Sequence, residues 1–297
     1  MRPPGTPRED RPERPVGPRL VTLAAVGAAL AGGVIVWAAL DRARRDAPLD
    51  DVFVAWAGLA LVLVTAAVVS AEVGRREADH VESVRPADWR AANRRTAIAA
   101  VGVVVVALLP LVRDSGAGTL RGLVLTLTAG AGAIPVVRAC FGLTTAVRAG
   151  PGDADIGRQV ADSLLFREVA MGLLRPLGAL VAIATLALAT TRLDVTTGPH
   201  PAAGTTVLLF GLTGTAAVAA VYNGPRAAIR SDARRLRDVL APTDGSDLEE
   251  LRSQLRQRED VNRQLGLTAT LLSDLQAGAW ITGPLLAAAT GLLLTTG

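Results

Sequence analysis

Half of the 297 residues are apolar, mean hydropathy is +0.38 and the formal charge at pH 7 is +4. The apolar residues gather in long runs without alternation, which excludes an ordinary water-soluble globule and points to lipid. One cysteine, Cys140, excludes a disulfide framework or a thiolate metal site, and two histidines as distant as His80 and His200 make a His-based site unexpected.

Residues 1–19 hold six Pro and five Arg with almost nothing apolar, so this stretch is expected to be a disordered tail. Residues 20–40 carry no charge. The run is too long for the apolar part of a signal peptide and no A-x-A cleavage site ends it, so it reads as an uncleaved first span. Six further runs follow, at 52–71, 96–112, 122–137, 173–191, 204–222 and 277–295. A spanning helix needs ~20 apolar residues. The run at 122–137 is the shortest, and it is expected to continue past Arg138 with the guanidinium snorkelling to the headgroups. The expected fold is therefore all-α: a membrane bundle of about seven spans.

Charge orients the bundle. All 31 basic residues are Arg. With the N-terminus in the cytoplasm, the segments 1–19, 72–95, 138–175 and 223–266 lie inside and hold 25 of them, against 6 outside. Basic residues are retained on the cytoplasmic side, so this alternation supports seven spans with the C-terminus outside the cytoplasm, in the plasma membrane. It also accounts for the pI of 10.6 without a nucleic-acid partner. By this reading the chain divides into the tail 1–19, six spans in three hairpins over 20–222, a cytoplasmic segment 223–266 and a last span within 267–297. The inside segments read as long loops of 24 to about 44 residues.

The segment 223–266 has the most distinctive pattern. Pro225 suits a helix N-terminus. Arg226, Arg230, Arg234 and Arg237 then form one stripe at helical spacing, beside an apolar stripe of Ile229, Ala233, Leu236 and Leu240. Pro242 to Gly245 ends that helix, and Ser246 with Glu249 matches a capping box that opens another. Arg258 and Asn262 are polar positions on the apolar seam of this second helix, where polar residues can specify pairing. The pattern predicts an antiparallel helical hairpin. Its Arg stripe suits anionic lipid headgroups, and its seam suits a cytoplasmic protein partner or a second copy of the chain. A shorter amphipathic stretch, 155–171, reads as an interfacial helix leading into the fifth span.

Gly130, Gly132 and Pro135 interrupt the fourth run. In a short span, Gly and Pro suggest a broken helix at a transport site, so a small permease or channel is the alternative to a scaffold. No span carries a deep ionisable residue, which weighs against transport. An enzyme is not expected. No span holds a His or a pair of Asp, the two histidines fall on opposite sides of the bilayer, and Asp153, Asp155 and Asp162 form only a loose acidic group. No cofactor or metal is expected. Small residues at i,i+4, such as Gly211/Thr215 and Ala287/Gly291, permit close helix packing within the bundle or between copies.

The strings RSDARRLRDVLAP, LEELRSQLRQREDVNRQLGL and LQAGAWITGPLLAAATGLLL occur in that order within residues 222–297. This order resembles the C-terminal part of uncharacterised multi-pass membrane proteins of actinobacteria, and the Arg-only, Ala- and Gly-rich composition suits a G+C-rich genome. The resemblance implies a module of a cytoplasmic hairpin followed by a span. It implies no activity and no site residues.

Overall fold

The computed structural model describes residues 32–33, 35–40, 44, 51–113, 117–150, 152, 155–195, 201–242, 248–265, 267, 279–284 and 286–290. The expected disordered tail at 1–19 and most of the first run lie outside these residues. Among them the secondary structure is helical, with no strand. Helix α1 is described over 35–40, and six longer helices follow: α2 (Asp51–Val84), α3 (Trp89–Arg113), α4 (Ala117–Ala149), α5 (Ile156–Val195), α6 (Pro201–Leu240) and α7 (Leu248–Gln264). A short apolar helix, α8 (Ala279–Thr290), comes last. Four segments are long and apolar enough to cross a membrane: Asp51–Val84, Arg121–Ala149, Ile156–Thr190 and Val207–Leu240. The third run lies on α3. The last run is described only within α8, which is too short to span a bilayer by itself.

Side-chain neighbours give the helix directions. In α2 and α4, Arg121 lies over Trp56, Gly132 beside Ala67 and Gly74 beside Val136, so the two helices run parallel at a nearly constant offset. Arg138 and Gly142 of α4 meet Asn93 and Trp89 of α3, which is therefore antiparallel to α4. Helices α5 and α6 are antiparallel, with Val181 beside Gly214 and Met171 beside Tyr222. The chain thus alternates in direction from α2 to α6. Helix α4 is central, touching α2, α3, α5 and α6. The main core lies where α4 and α5 meet, around Val136, Leu143, Phe166, Leu173 and Leu174. Large apolar residues also face outward along the bundle, among them Val54, Val62, Ile98, Val101, Leu209 and Leu212. A water-soluble monomer rarely exposes apolar surface on this scale, whereas a lipid-facing one does.

The helices do not stop where their apolar runs stop. Helix α2 continues 13 residues past its run, α6 continues 18, and α5 begins 17 residues before its own. At 1.5 Å per residue these extensions measure about 20, 27 and 25 Å. The segments between the apolar runs on this side, helical by pattern in 155–171 and 223–266, are helical in 72–84 and 138–149 as well. The connections themselves are short: 85–88 between α2 and α3, and 150–155 between α4 and α5. Asp88 caps α3, its Oδ1 accepting from the backbone N–H groups of Arg90 and Ala91 at 3.1 and 3.0 Å. Gly150, at φ 80°, ends α4 in the left-handed conformation that favours glycine.

Three local expectations are corrected. The stretch 155–171 is not a separate interfacial helix, because it is continuous with the apolar part of α5. Pro225 does not start a helix, because it lies inside α6. Helix α4 is unbroken through Gly130, Gly132 and Pro135. The glycines there serve packing instead. A Cβ at Gly132 would lie 2.5 Å from the Cα of Ala67, and one at Gly74 would collide with the backbone of Pro135 and Val136. Gly130 faces Val103 of α3. Small residues let two membrane helices approach to backbone contact, and that contact replaces the break.

Gly74→Ala is expected to cost about 1–3 kcal/mol through overpacking against immovable backbone. Gly58→Ala, at a position with nothing within 4 Å, is expected to cost nothing. Thermal unfolding of the two purified variants in the same detergent checks this; equal melting temperatures would remove the close α2–α4 contact as an explanation.

Candidate functional site

The extensions of α2, α5 and α6 emerge at the same end of the bundle and pack on one another there. Arg85, just past α2, is only 4% exposed. Its Nε donates to Asp162 Oδ2 of α5 at 3.3 Å, and its Nη1 stands 3.6 Å from Asp232 Oδ2 of α6. The first contact is a hydrogen bond. The second is an ion pair only, and Arg85 Nη1, Arg85 Nη2 and Asp232 Oδ2 make no hydrogen bond. The guanidinium lies over the Phe166 ring, 5.1 Å from its centroid. One cation thus joins carboxylates from two other helices. Asp162, read earlier as part of a loose acidic group, belongs to this cluster, and the Asp155 carboxylate accepts from the backbone N–H of Gly157. Among the described residues no group of His, Cys, Asp or Glu is placed to hold a metal ion.

Helix α7 folds back along the end of α6. Leu265 and Val261 join Ala233 and Leu236 of α6 and Val160 of α5 in a small apolar cluster. Arg258 pairs with Asp238, which Arg237 also contacts at 2.8 Å. Gln257 Nε2 donates to the Leu240 carbonyl at 3.4 Å. The seam position of Arg258 thus faces α6. Further along, Arg230, Arg234 and Arg237 of α6 line a groove of about 260 Å³ together with Asn262 and Leu267. Arg230 and Arg234 are exposed and make no hydrogen bond or ion pair among the described residues. Asn262 Oδ1 is buried and makes no hydrogen bond. Arg226, one turn nearer the apolar part of α6, is not in the lining.

Of the residues singled out by pattern, the fold thus brings Arg230, Arg234, Arg237 and Asn262 into one groove. It places Arg258 beside that groove in an ion pair and leaves Arg226 apart. Gly130, Gly132 and Pro135 lie away from it in the bundle, at helix contacts. Arg138 does not depend on headgroups alone: its Nε donates to Asn93 Oδ1 at 2.8 Å and its guanidinium lies 4.9 Å from the Trp89 ring centroid. The Arg85 cluster was not legible in the pattern. Arg85, Asp162 and Asp232 are separated by 77 and 70 residues, and no spacing rule links charges on three different helices.

Comparison with protein-family models, with curated proteins and with solved structures finds no match.

Arg85→Ala leaves two buried carboxylates facing each other without a cation and is expected to cost about 3–5 kcal/mol. Adding Asp162→Asn and Asp232→Asn removes those charges and is expected to recover part of the loss. Denaturant unfolding of the single and triple variants measures both; a triple variant no more stable than Arg85→Ala would mean that charge compensation is not what Arg85 supplies.

Proposed function

We propose that the chain is a non-catalytic membrane anchor or scaffold whose hairpin, residues 225–265, binds a cytoplasmic protein. In this reading the protein crosses the plasma membrane about seven times with its N-terminus inside. The Arg-rich end, with the packed extensions of α2, α5 and α6, then faces the cytoplasm. The alternation in helix direction from α2 to α6 supports this arrangement.

The observation that carries the scaffold reading is the placement of α7. The extensions form a packed helical stalk about 20–27 Å long, and α7 is mounted on it with most of its described residues exposed. Near the turn of the hairpin, Val239 and Leu255 are 56% and 51% exposed. Burying the exposed half of each against a partner helix would contribute about 1 kcal/mol. A helix laid into a shallow apolar groove flanked by charges is a common mode of peptide recognition. The permease alternative rested on a break in the fourth span. With α4 continuous through Pro135, no specific observation favours it.

Removing 225–265 entirely would also remove Asp232 and leave Arg85 unpaired on that side, so a point variant is the cleaner probe. Crosslinking from native membranes compares the full chain with Leu255→Asp, which leaves the Arg258–Asp238 pair in place. A cytoplasmic protein crosslinked to α7 in the full chain and lost in Leu255→Asp is the expected result. Crosslinks between copies alone would make the hairpin a self-association surface. Identical patterns from both proteins would remove the hairpin as a binding element.

A further inference from the structure

We propose that the groove between α6 and α7 is a binding site for a phosphate group carried by a small soluble molecule. The inference goes beyond the scaffold reading and stands without it. The side chains of Arg230, Arg234 and Arg237 line a space of about 260 Å³. Two of them, Arg230 and Arg234, have no hydrogen bond or ion pair among the described residues. Arg237 is held by Asp238 at 2.8 Å, so Arg230 and Arg234, one turn apart on the same helix, are the two charges that an anion in the groove would offset. The planar fork of Arg matches phosphate oxygens, and such charge-assisted hydrogen bonds are about twice as strong as neutral ones. Asn262 comes from the other helix; its buried Oδ1, an acceptor without a hydrogen-bond partner, suits a hydroxyl of the molecule that carries the phosphate, and its N–H groups can donate to a phosphate oxygen. Leu267 supplies an apolar wall.

Size and position narrow the occupant. The space is smaller than the ~300–1,000 Å³ of pockets that take drug-sized ligands, so the bound part is small. The apolar run of α6 ends at Tyr222, and Arg230 and Arg237 follow 8 and 15 residues later. The helix is continuous through this stretch and stays packed on α5, with Met171 beside Tyr222 and Val160 beside the cluster of Ala233 and Leu236. The groove residues therefore stand about 12–22 Å beyond the apolar run. The headgroup layer on one side of a bilayer is only about 5–8 Å thick. Arg226 lies at headgroup depth, whereas Arg234 and Arg237 reach past it. A lipid phosphate and a soluble phosphate share the chemistry of this site, and its height favours the soluble one.

The test uses the full-length protein in nanodiscs of neutral phosphatidylcholine, titrated calorimetrically with inorganic phosphate and with glycerol 3-phosphate. The wild type is expected to bind at least one of them. Arg230→Gln/Arg234→Gln is expected to weaken that binding about tenfold or more. Arg252→Gln/Arg256→Gln removes the same charge from exposed positions of α7 outside the lining and is expected to leave binding unchanged. In nanodiscs containing phosphatidic acid, persistent binding of the soluble phosphates supports the soluble source. Competition that disappears in Arg230→Gln/Arg234→Gln would assign the groove to the lipid phosphate and overturn the soluble one. No binding by the wild type, or equal weakening in both double variants, would overturn the site itself.

Discussion

The arrangement of the basic end depends on one buried cation. Arg85 sits between helices α5 and α6 with an Asp from each, in a space nearly closed to water. Removing charges from water costs several kcal/mol per ion, so the cluster adds little net stability beyond its apolar surroundings. Its effect is on register. A slip of α6 by one turn would carry Asp232 away from Arg85 and bury a carboxylate without compensation. The antiparallel pairing of α5 and α6 keeps one register from Val181 and Gly214, through Met171 and Tyr222, to Val160 and Ala233. The ionic cluster lies on that same register and extends it to α2. A continuous stalk results where the amino-acid pattern suggests loops.

Within the bundle the corresponding constraint is the contact between α2 and α4. Gly74 and Gly132 remove the two side-chain carbons that would hold these helices apart. Pro135 lacks the backbone N–H that would bond to the carbonyl one turn earlier, yet the helix persists. In a membrane helix such an irregularity is tolerated when neighbouring helices pack closely over it. Gly74 lies directly against Pro135 and provides that packing. A motif that suggests a transport element is, in the folded chain, part of a close backbone contact between two helices.

These two constraints place the hairpin. Because α6 continues as an uninterrupted helix past its apolar run, α7 packs on that extension. The Arg stripe is thereby divided. Arg226 lies outside the groove, and Arg230, Arg234 and Arg237 line it with Asn262. The hairpin then has two distinct surfaces: a basic groove between its helices, and an apolar tip at Val239 and Leu255. In the readings proposed above, the first takes a small anion and the second a protein helix.

Much of the architecture follows from the amino-acid sequence alone. Six of the seven apolar runs fall at least partly on long helices or on α8, and part of the first run is helical. Hydropathy and Arg asymmetry are local, additive properties, so they can be read one segment at a time. They cannot show where a helix ends, because hydropathy falls where a chain leaves lipid whether or not its hydrogen bonding stops there. For that reason 72–84 reads as a loop and 156–172 as a separate helix although they continue α2 and α5, whereas the continuation of α4 past Arg138 was legible. The Arg stripe and the polar seam of Arg258 and Asn262 were legible because each repeats within one helix. Only the tertiary structure decided that Asn262 would face Arg230 and Arg234, that Gly132 would touch Ala67, and that Arg85 would sit between Asp162 and Asp232. Those contacts join residues far apart in the chain, and their geometry depends on how whole helices pack against one another.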